Sequence, residues 1–262
     1  KRFGMRNMIM VFQVSGSVML LLITLILSLG GRTLWNFDAS FDIRTMYLMA
    51  LDPVRDGYSP EQAAAFFEKL PDRLRNVASV EASALTTAAP FDSEVGGRLA
   101  ENYSAISEPD KTQTTLSRAS KQVVGRGYFA ALNENMLAGR DFTDRDQRVD
   151  PSSGSMLPII LNRTAAKELF GDQNPIGRRI LQQPQTYEVV GMVRDLPSMT
   201  SRAQPIVYLP ITMDTIAHPP ENGLTLVVRS SIGANALEGI RREIASIDPN
   251  LTLFNVQTLS QS

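Results

Sequence analysis

The most prominent feature of the hydropathy pattern is a long uncharged stretch near the start of the chain. Residues 7–31 contain no Asp, Glu, Lys, Arg or His, and Arg6 and Arg32 bound them. As a helix this stretch would be about 37 Å long at ~1.5 Å per residue, whereas a bilayer core is about 30 Å thick. The pattern therefore predicts that residues 1–35 are a cytoplasmic flank followed by a transmembrane helix.

Basic residues indicate the orientation of this helix. Lys1, Arg2 and Arg6 precede the apolar stretch, and positively charged residues favour the cytoplasmic side of a membrane. The bulk of the chain is therefore expected outside the cytoplasm. Two alternatives are a cleaved signal peptide, whose apolar region is usually shorter at roughly 7–15 residues, and a buried helix of a soluble protein. Because the chain begins at Lys1, we expect it to be a piece of a longer protein.

Two segments far apart in the chain repeat the order strand, helix, strand. In each, short apolar runs flank an amphipathic stretch with apolar residues at helical spacing. The first has strands at 45–52 and 80–87 around a helix opening at 59; the second has strands at 224–229 and 251–256 around a helix at 233–247. This pattern predicts an α+β fold with a split βαβ, ferredoxin-like, porter-type lobe made of residues 44–89 and 222–262. Both helices should dock on one face of the sheet, since neither can bury its apolar stripe alone.

The first of these helices carries a clear start signal. Ser59 is a good N-cap, Pro60 suits the first helical position, and Gln62 completes a capping box. Pro71 interrupts the apolar pattern farther along, which predicts a kink near residues 67–70.

The intervening residues 90–221 contain mostly short apolar runs separated by polar residues. This pattern predicts an inserted β-rich lobe with its own small core. Residues 90–109 are mixed and polar, with one expected strand, and residues 144–154 read as a charged loop. A short helix is expected at 126–132 and another from Asn162 to Gly171, followed by a tight turn at 174–177. The remaining predicted strands are residues 114–124, 158–161, 187–193 and 206–209.

Composition narrows the possible partners and chemistry. The formal net charge of the chain is −1, and residues 1–32 hold four basic and no acidic groups, so the rest carries a net charge of −5. A mildly acidic body argues against a nucleic-acid partner, which needs a basic surface to neutralise phosphates. Cysteine is absent, which excludes disulfides, thiol chemistry and cysteine–zinc sites.

No residue pattern predicts a catalytic, cofactor or metal site. The sole histidine, His218, lies between Ala217 and two prolines and is expected to face solvent. The run 140–146 holds three aspartates and two arginines, but a calcium loop needs more oxygen ligands and an internal glycine, so a solvated charged turn is favoured. Residues 125–127 are too short for a phosphate loop. The basic doublets 178–179 and 241–242 are expected to face solvent. The scattered methionines are expected to fill space in hydrophobic packing and not to bind a metal or ligand.

Short motifs, in a particular order and spacing, resemble one known family. The similarity is to the extracytoplasmic core domain of MacB/FtsX-type ABC transporter permeases, most of all to the large duplicated permeases of acidobacteria, and it runs from Gln13 to Leu259. The motifs are 127–132 (GYFAAL), 139–143 (GRDFT), 159–162 (IILN), 165–166 (AA), 170–171 (FG), 174–178 (NPIGR), 187–195 (YEVVGMVRD), 207–210 (VYLP) and 226–229 (LVVR).

This resemblance implies a fold, a location and partners. It implies a porter-like lobe carrying an inserted β-rich lobe, which agrees with the split pattern described above. It further implies a bacterial cytoplasmic (inner) membrane protein, more membrane helices beyond this fragment, and a cytoplasmic ABC ATPase subunit as partner. Other expected partners are the lipid bilayer, a second copy of the domain in the same chain or in a dimer, and a periplasmic adaptor or lipoprotein.

The expected function is mechanical. Because no catalytic residues are predicted, the domain is expected to couple cytoplasmic ATP hydrolysis to movement outside the membrane, in efflux, lipoprotein release or mechanotransmission. Two alternatives remain at this point: a ligand-binding extracytoplasmic sensor domain of a membrane receptor, and a scaffold that recruits a cell-wall hydrolase. Several further hydrophobic spans in the full gene would favour a permease, whereas one span and a coiled coil would favour a receptor.

Overall fold

The computed structural model describes residues 4–35, 45–51, 56–77, 79–90, 100–106, 115–150, 154–196, 203–220, 223–230, 235–248 and 253–258. The chain divides into two compact units, residues 1–40 and residues 41–262; the second is called the body below. The helices are α1 (Met5–Trp35), α2 (Pro60–Arg75), α3 (Tyr128–Ala131), α4 (Asp144–Gln147), α5 (Arg163–Phe170), α6 (Met213–Ala217) and α7 (Asn235–Ile247). The strands are β1 (Met46–Leu51), β2 (Val80–Thr86), β3 (Ala100–Ile106), β4 (Thr115–Val124), β5 (Met136–Gly139), β6 (Leu157–Asn162), β7 (Arg179–Gln182), β8 (Gln185–Val193), β9 (Ile206–Pro210), β10 (Leu224–Ser230) and β11 (Leu253–Thr258).

The first unit contains α1, so the predicted long N-terminal helix is confirmed as a helix. Its segment Met8–Leu25 is long and apolar enough to cross a membrane by length and composition, and its side chains are exposed. The hydroxyl of Thr24 donates to the carbonyl of Leu20 at 2.8 Å. This bond gives a polar group on an apolar helix an internal partner, which is needed where water is excluded.

Four neighbouring strands of the body's continuous sheet come from both ends of the chain, and the last of them, β2, pairs with β4 through Thr86 and Val124. They lie in the order β11-β1-β10-β2, and all three neighbouring pairs are antiparallel. α2 connects β1 to β2, and α7 connects β10 to β11. Both helices share one hydrophobic cluster with these strands, the helix-side cluster, which includes Met49, Leu226, Phe67 and Ile240. All six elements therefore form where the apolar patterns predicted them.

The start of α2 confirms the predicted capping box. The amide of Gln62 donates to the Ser59 hydroxyl at 3.3 Å, and the Ser59 amide donates to the Gln62 side-chain oxygen at 2.9 Å. The helix continues through Pro71 without a break and ends at Arg75. Its predicted apolar face is buried: Ala63, Phe66, Phe67, Leu70 and Leu74.

Six strands from the middle of the chain pair in a closed ring. The order β4-β3-β7-β8-β6-β9 returns to its start because β9 pairs in parallel with β4. Alternate residues of β6, namely Leu157, Ile159 and Leu161, join a second cluster, the ring cluster, to which α5 contributes Ala165 and Leu169. The middle of the chain is thus β-rich with its own core, whereas its division from the rest as a separate lobe stays a prediction, since residues 41–262 form one compact unit.

A third hydrophobic cluster joins the ring to the four-stranded sheet. This junction cluster contains Met46 and Leu48 of β1 together with Tyr128, Phe129 and Tyr208 from the middle of the chain. Since Tyr47 and Met49 belong to the helix-side cluster, β1 is buried on both faces. Burial on both faces explains why β1 reads as a continuous apolar run instead of alternating with polar residues.

Several short elements were not predicted from the sequence. β5 lies in the stretch before the glycine turn, α4 in the predicted charged loop, and β7 and α6 in segments without an assigned structure. β5 and β7 are four residues long and each is held by pairing with β8. β5 pairs with residues 191–193, far along the chain, and β7 pairs with β3 as well as with the adjacent β8. Four residues are too few to show a periodic signal of their own.

Candidate functional site

A cleft, called the α2 cleft here, opens in the body between α2 and the segments 125–126, 144–148 and 211–216. Its volume is about 100 Å³, well below the roughly 300–1,000 Å³ of typical small-molecule sites. Its apolar lining includes Phe67, Leu85, Ile211 and Ile216, and its charged lining is Glu68, Asp72, Arg126, Asp144 and Arg148.

The charged groups of the α2 cleft pair with one another across its mouth. The Arg126 guanidinium lies 2.9 Å from Asp144 of α4 and 3.3 Å from Asp72 of α2. Arg148 lies 2.8 Å from Glu68 of α2. These pairs use both arginines and all three carboxylates of the lining, so the charged rim links α2 to α4 and to the turn that holds Arg126.

The predicted charged turn lies directly beside this cleft. The expectation that it is solvated is correct for Arg140, Asp144 and Arg145, which are exposed, but wrong for Asp146. The Asp146 side chain is only 9% exposed and accepts two hydrogen bonds from Arg140, at 2.7 and 3.1 Å. It also accepts from the amide and the hydroxyl of Thr143, at 2.7 and 2.8 Å. The Asp146 carboxylate thereby caps α4 and fixes the preceding turn.

Two aspartates of this turn have pKa values shifted in opposite directions. Burial tends to raise the pKa of Asp146, but the hydrogen bonds from Arg140 and Thr143 outweigh it, so that pKa is lowered. Burial raises the pKa of Asp141 even though the Phe142 amide donates to it at 2.7 Å. The difference follows from the partners: the Asp146 carboxylate receives a guanidinium, whereas Asp141 receives mainly neutral amides.

The glycines around Arg126 are part of a turn. The Gly125 amide donates to the Leu85 carbonyl at 2.7 Å, which attaches this turn to β2. Gly127 has a φ of 80° and caps the N-terminus of α3. A left-handed φ favours glycine, so these residues are explained by backbone geometry and by the close approach of β2.

The other residues singled out in the sequence lie apart from the α2 cleft. His218 is confirmed as solvent-facing: its side chain is 74% exposed and lies 3.0 Å from Asp214. Arg179 and both residues of the 241–242 doublet are exposed as expected. Arg178 is only partly exposed, because its guanidinium lies over the Phe170 ring at 5.4 Å. Within the described part of the chain, no group of three or more His, Asp or Glu is arranged to hold a metal ion.

Sequence reasoning did not identify the α2 cleft. In the sequence, Arg126 lies only between two glycines at the start of a predicted short helix, and Arg148 only within a predicted charged loop. Their partners Asp72 and Glu68 lie 54 and 80 residues away in the chain. No local pattern links residues at such separations, so only the fold brings them together.

Comparison with known proteins identifies the family of the chain. The family model for the MacB-like periplasmic core domain matches residues 20–247. The chain belongs to this family. The match ends at the last residue of α7 and includes every residue of the α2 cleft, and it confirms the resemblance read from the motifs.

A curated relative of this MacB-like domain is the uncharacterized ABC transporter permease YknZ of Bacillus subtilis. The two are 22% identical over 155 residues, which are 59% of this chain and 33% of YknZ. The chain therefore spans about a third of the length of this relative.

Solved structures of similar domains also exist. The periplasmic region of MacB from Actinobacillus actinomycetemcomitans is 14% identical, with a TM-score of 0.49, over 88% of this chain and 96% of that one. A second structure is the extracellular domain of YknZ, a noncanonic ABC-type transporter from Gram-positive bacteria. It is 19% identical to this chain with a TM-score of 0.42, and the match covers 80% of this chain and 99% of the YknZ domain.

Proposed function

We propose that this chain is the extracytoplasmic domain of an ABC transporter permease subunit, where it couples ATP hydrolysis in the cytoplasm to movement outside the membrane. Membership of the MacB-like periplasmic core domain family carries this proposal. The apolar helix α1, which directly precedes the body in sequence, supports an anchor in the bacterial inner membrane. The part played by the domain is mechanical rather than enzymatic.

The proposed partners follow from this function. A cytoplasmic ABC ATPase subunit supplies the energy, and a second copy of the domain, in the same chain or in a dimer, moves against this one. A periplasmic adaptor or lipoprotein is the proposed outer partner. The outcome of the movement is efflux, lipoprotein release or mechanotransmission.

The proposed working parts are two lobes. The strand order is β11-β1-β10-β2, and one helix connects β1 to β2 while another connects β10 to β11. This arrangement supports a porter-like split βαβ lobe of residues 44–89 and 222–262. The closed strand ring and its cluster support an inserted lobe of residues 90–221.

The junction cluster supports movement of both lobes as one piece. Met46, Leu48 and Val227 of the sheet pack in the same buried cluster as Phe129 and Tyr208 from the insert. The rings of Phe129 and Tyr208 meet edge to face, with centroids 5.0 Å apart. Close-packed interiors are barely compressible and transmit displacement, so a force on one lobe reaches the other.

Crosslinking two copies of the domain in the intact transporter tests the proposal. This chain has no cysteine, so once any cysteines in the rest of the transporter are replaced, single cysteines can be placed at exposed positions such as Ala130 and Lys167 and joined by a thiol-specific crosslinker. We expect a rigid lock between the two domains to stop ATP-driven transport, and a cleavable crosslinker to restore it after cleavage. The same cysteine variants without crosslinker are the control. Transport that continues in the locked state contradicts the proposal.

Labelling tests the proposed location separately. A membrane-impermeant maleimide should react with a cysteine at Ala130 in cells whose cytoplasmic membrane is intact. Reaction only after the membrane has been permeabilised would put the body in the cytoplasm and would contradict an extracytoplasmic role.

A further inference from the structure

Residues 140–148, which include α4, form a segment that crosses the mouth of the α2 cleft and is called the strap here. Its base is joined to the ring by backbone pairing: the Arg140 amide donates to the Val190 carbonyl at 2.9 Å, directly after β5 pairs with β8. Gly139 allows this approach, because a side chain there would meet the Val190 carbonyl at 2.2 Å.

The base of the strap is also fixed by buried charge. The nearly buried Asp146 carboxylate accepts four hydrogen bonds, all from Arg140 and Thr143 within the strap itself. Charge-assisted hydrogen bonds away from water are strong, and leaving a buried carboxylate without its partners is costly. The strap therefore keeps its own shape.

The outer contacts of the strap are of a different kind. They are ion pairs at the cleft mouth, in which Asp144 meets Arg126 and Arg148 meets Glu68. Arg126 in turn reaches Asp72 of α2. The side chains are 59% exposed for Asp144, 67% for Arg148 and 54% for Glu68. Exposed ion pairs contribute little net stability, since water solvates the separated charges and salt screens their attraction.

We propose that the strap is a salt-sensitive clasp, hinged on the ring at its base and latched to α2 by these ion pairs. The latch opens before the base does, because the carboxylates of the latch are more than half exposed, whereas the Asp146 carboxylate at the base is 9% exposed and the Arg140 amide beside it is held by a backbone hydrogen bond. Opening widens the α2 cleft at its mouth. The cleft floor stays closed, because Ile216 of α6 and Phe67 of α2 remain buried in the same helix-side cluster.

Distance measurement between α2 and the strap tests this clasp. Spin labels are attached to cysteines replacing the exposed residues Ala65 of α2 and Arg145 of α4 in the full-length protein, with any cysteines outside this chain replaced. The latch is removed by Arg126→Gln together with Arg148→Gln. The matched control is Arg241→Gln, which removes an exposed pair with Glu238 inside α7.

The double variant should shift the measured distances to longer values and broaden their distribution, while the control variant leaves them unchanged. High salt should produce the same shift in the parent protein and none in the double variant, because its latch is already absent. The salt comparison in the parent needs no substitution in the latch, so it remains decisive if the double variant fails to fold. Identical distributions at low and high salt, or an equal shift in the control, overturn the clasp. Both labels lie in this chain, so the result is independent of whether transport is coupled as proposed.

Discussion

Replacing Asp146 by Asn tests how strongly the buried carboxylate stabilises the body. An amide keeps one acceptor oxygen, but it turns an NH₂ group towards donors of Arg140 or Thr143 and removes the charge. Breaking a fully buried ion pair costs about 3–5 kcal/mol. The Arg140 side chain is 48% exposed, so water can solvate it once its partner is lost. We therefore expect a loss of about 2 kcal/mol at neutral pH, or roughly 4–8 °C in melting temperature for a chain of this size.

The loss should depend on pH in a direction set by the pKa of Asp146. That pKa is lowered in the folded state, because the hydrogen bonds from Arg140 and Thr143 outweigh the effect of burial. A carboxyl group with a lowered folded pKa stabilises the protein above its unfolded pKa of about 3.9, and this contribution disappears as the pH falls through the folded pKa. The difference between parent and variant should thus be full near neutral pH and should shrink in acid, below about pH 4.

Asp141 supplies a matched control in the same turn. Burial raises its folded pKa, so its ionisation opposes folding as the pH rises through that pKa. Asp141→Asn, which retains an acceptor oxygen for the Phe142 amide, should leave the stability at neutral pH unchanged or slightly higher.

Urea denaturation of the detergent-solubilised chain, followed by circular dichroism at neutral and at acid pH, measures both variants. The slope of unfolding free energy against urea should stay constant, which shows that the folded state remains equally compact. If Asp146→Asn is as stable as the parent at neutral pH, or loses the same free energy at both pH values, the assigned hydrogen bonds do not stabilise the carboxylate.

Other substitutions test single features of the body by the same denaturation assay. Asn162→Ala should lower the free energy of unfolding by about 3 kcal/mol. The fully buried Asn162 side chain accepts from two backbone N–H groups and donates to a carbonyl, and all three groups would lose this partner. Asn174→Ala at an exposed position is the control, and an equal loss in both variants contradicts this role of Asn162. Gly191→Ala should destabilise by several kcal/mol or prevent folding, since its Cβ would lie 2.4 Å from the Arg140 carbonyl oxygen, and normal stability would show that the strands can separate. Tyr128→Phe should be neutral or stabilising by about 1 kcal/mol, because the buried hydroxyl has no hydrogen-bond partner among the described residues, and a clear loss would reveal one.

Local sequence signals predicted the longer helices and strands. The helix α2 was identified by its capping box and by apolar residues that recur with the helical period, and the flanking strands by short apolar runs bounded by turn residues. The start of α5 at Asn162 is a local signal of the same kind, since Asn is a common N-cap residue. In the structure the Asn162 side chain accepts from the Ala165 amide, as an N-cap does. These features involve residues within a few positions of one another, so the chain itself records them.

The order of the motifs carried the family resemblance, and with it the proposed function. The apolar N-terminal stretch predicted a helix and, from its flanking charges, an orientation. Neither inference needed the fold, since motif order, helix length and charge asymmetry are all properties of the linear chain.

The tertiary structure alone decided how the pieces combine. The parallel pairing of β9 with β4 closes the strand ring, and the junction cluster joins that ring to a sheet made from both ends of the chain. The same packing buries Asp146 inside a segment that reads as solvated and brings Arg148 to Glu68 across 80 residues. Burial and long-range pairing depend on which surfaces meet in space, and residues far apart in the chain leave no common periodicity from which such meetings can be read.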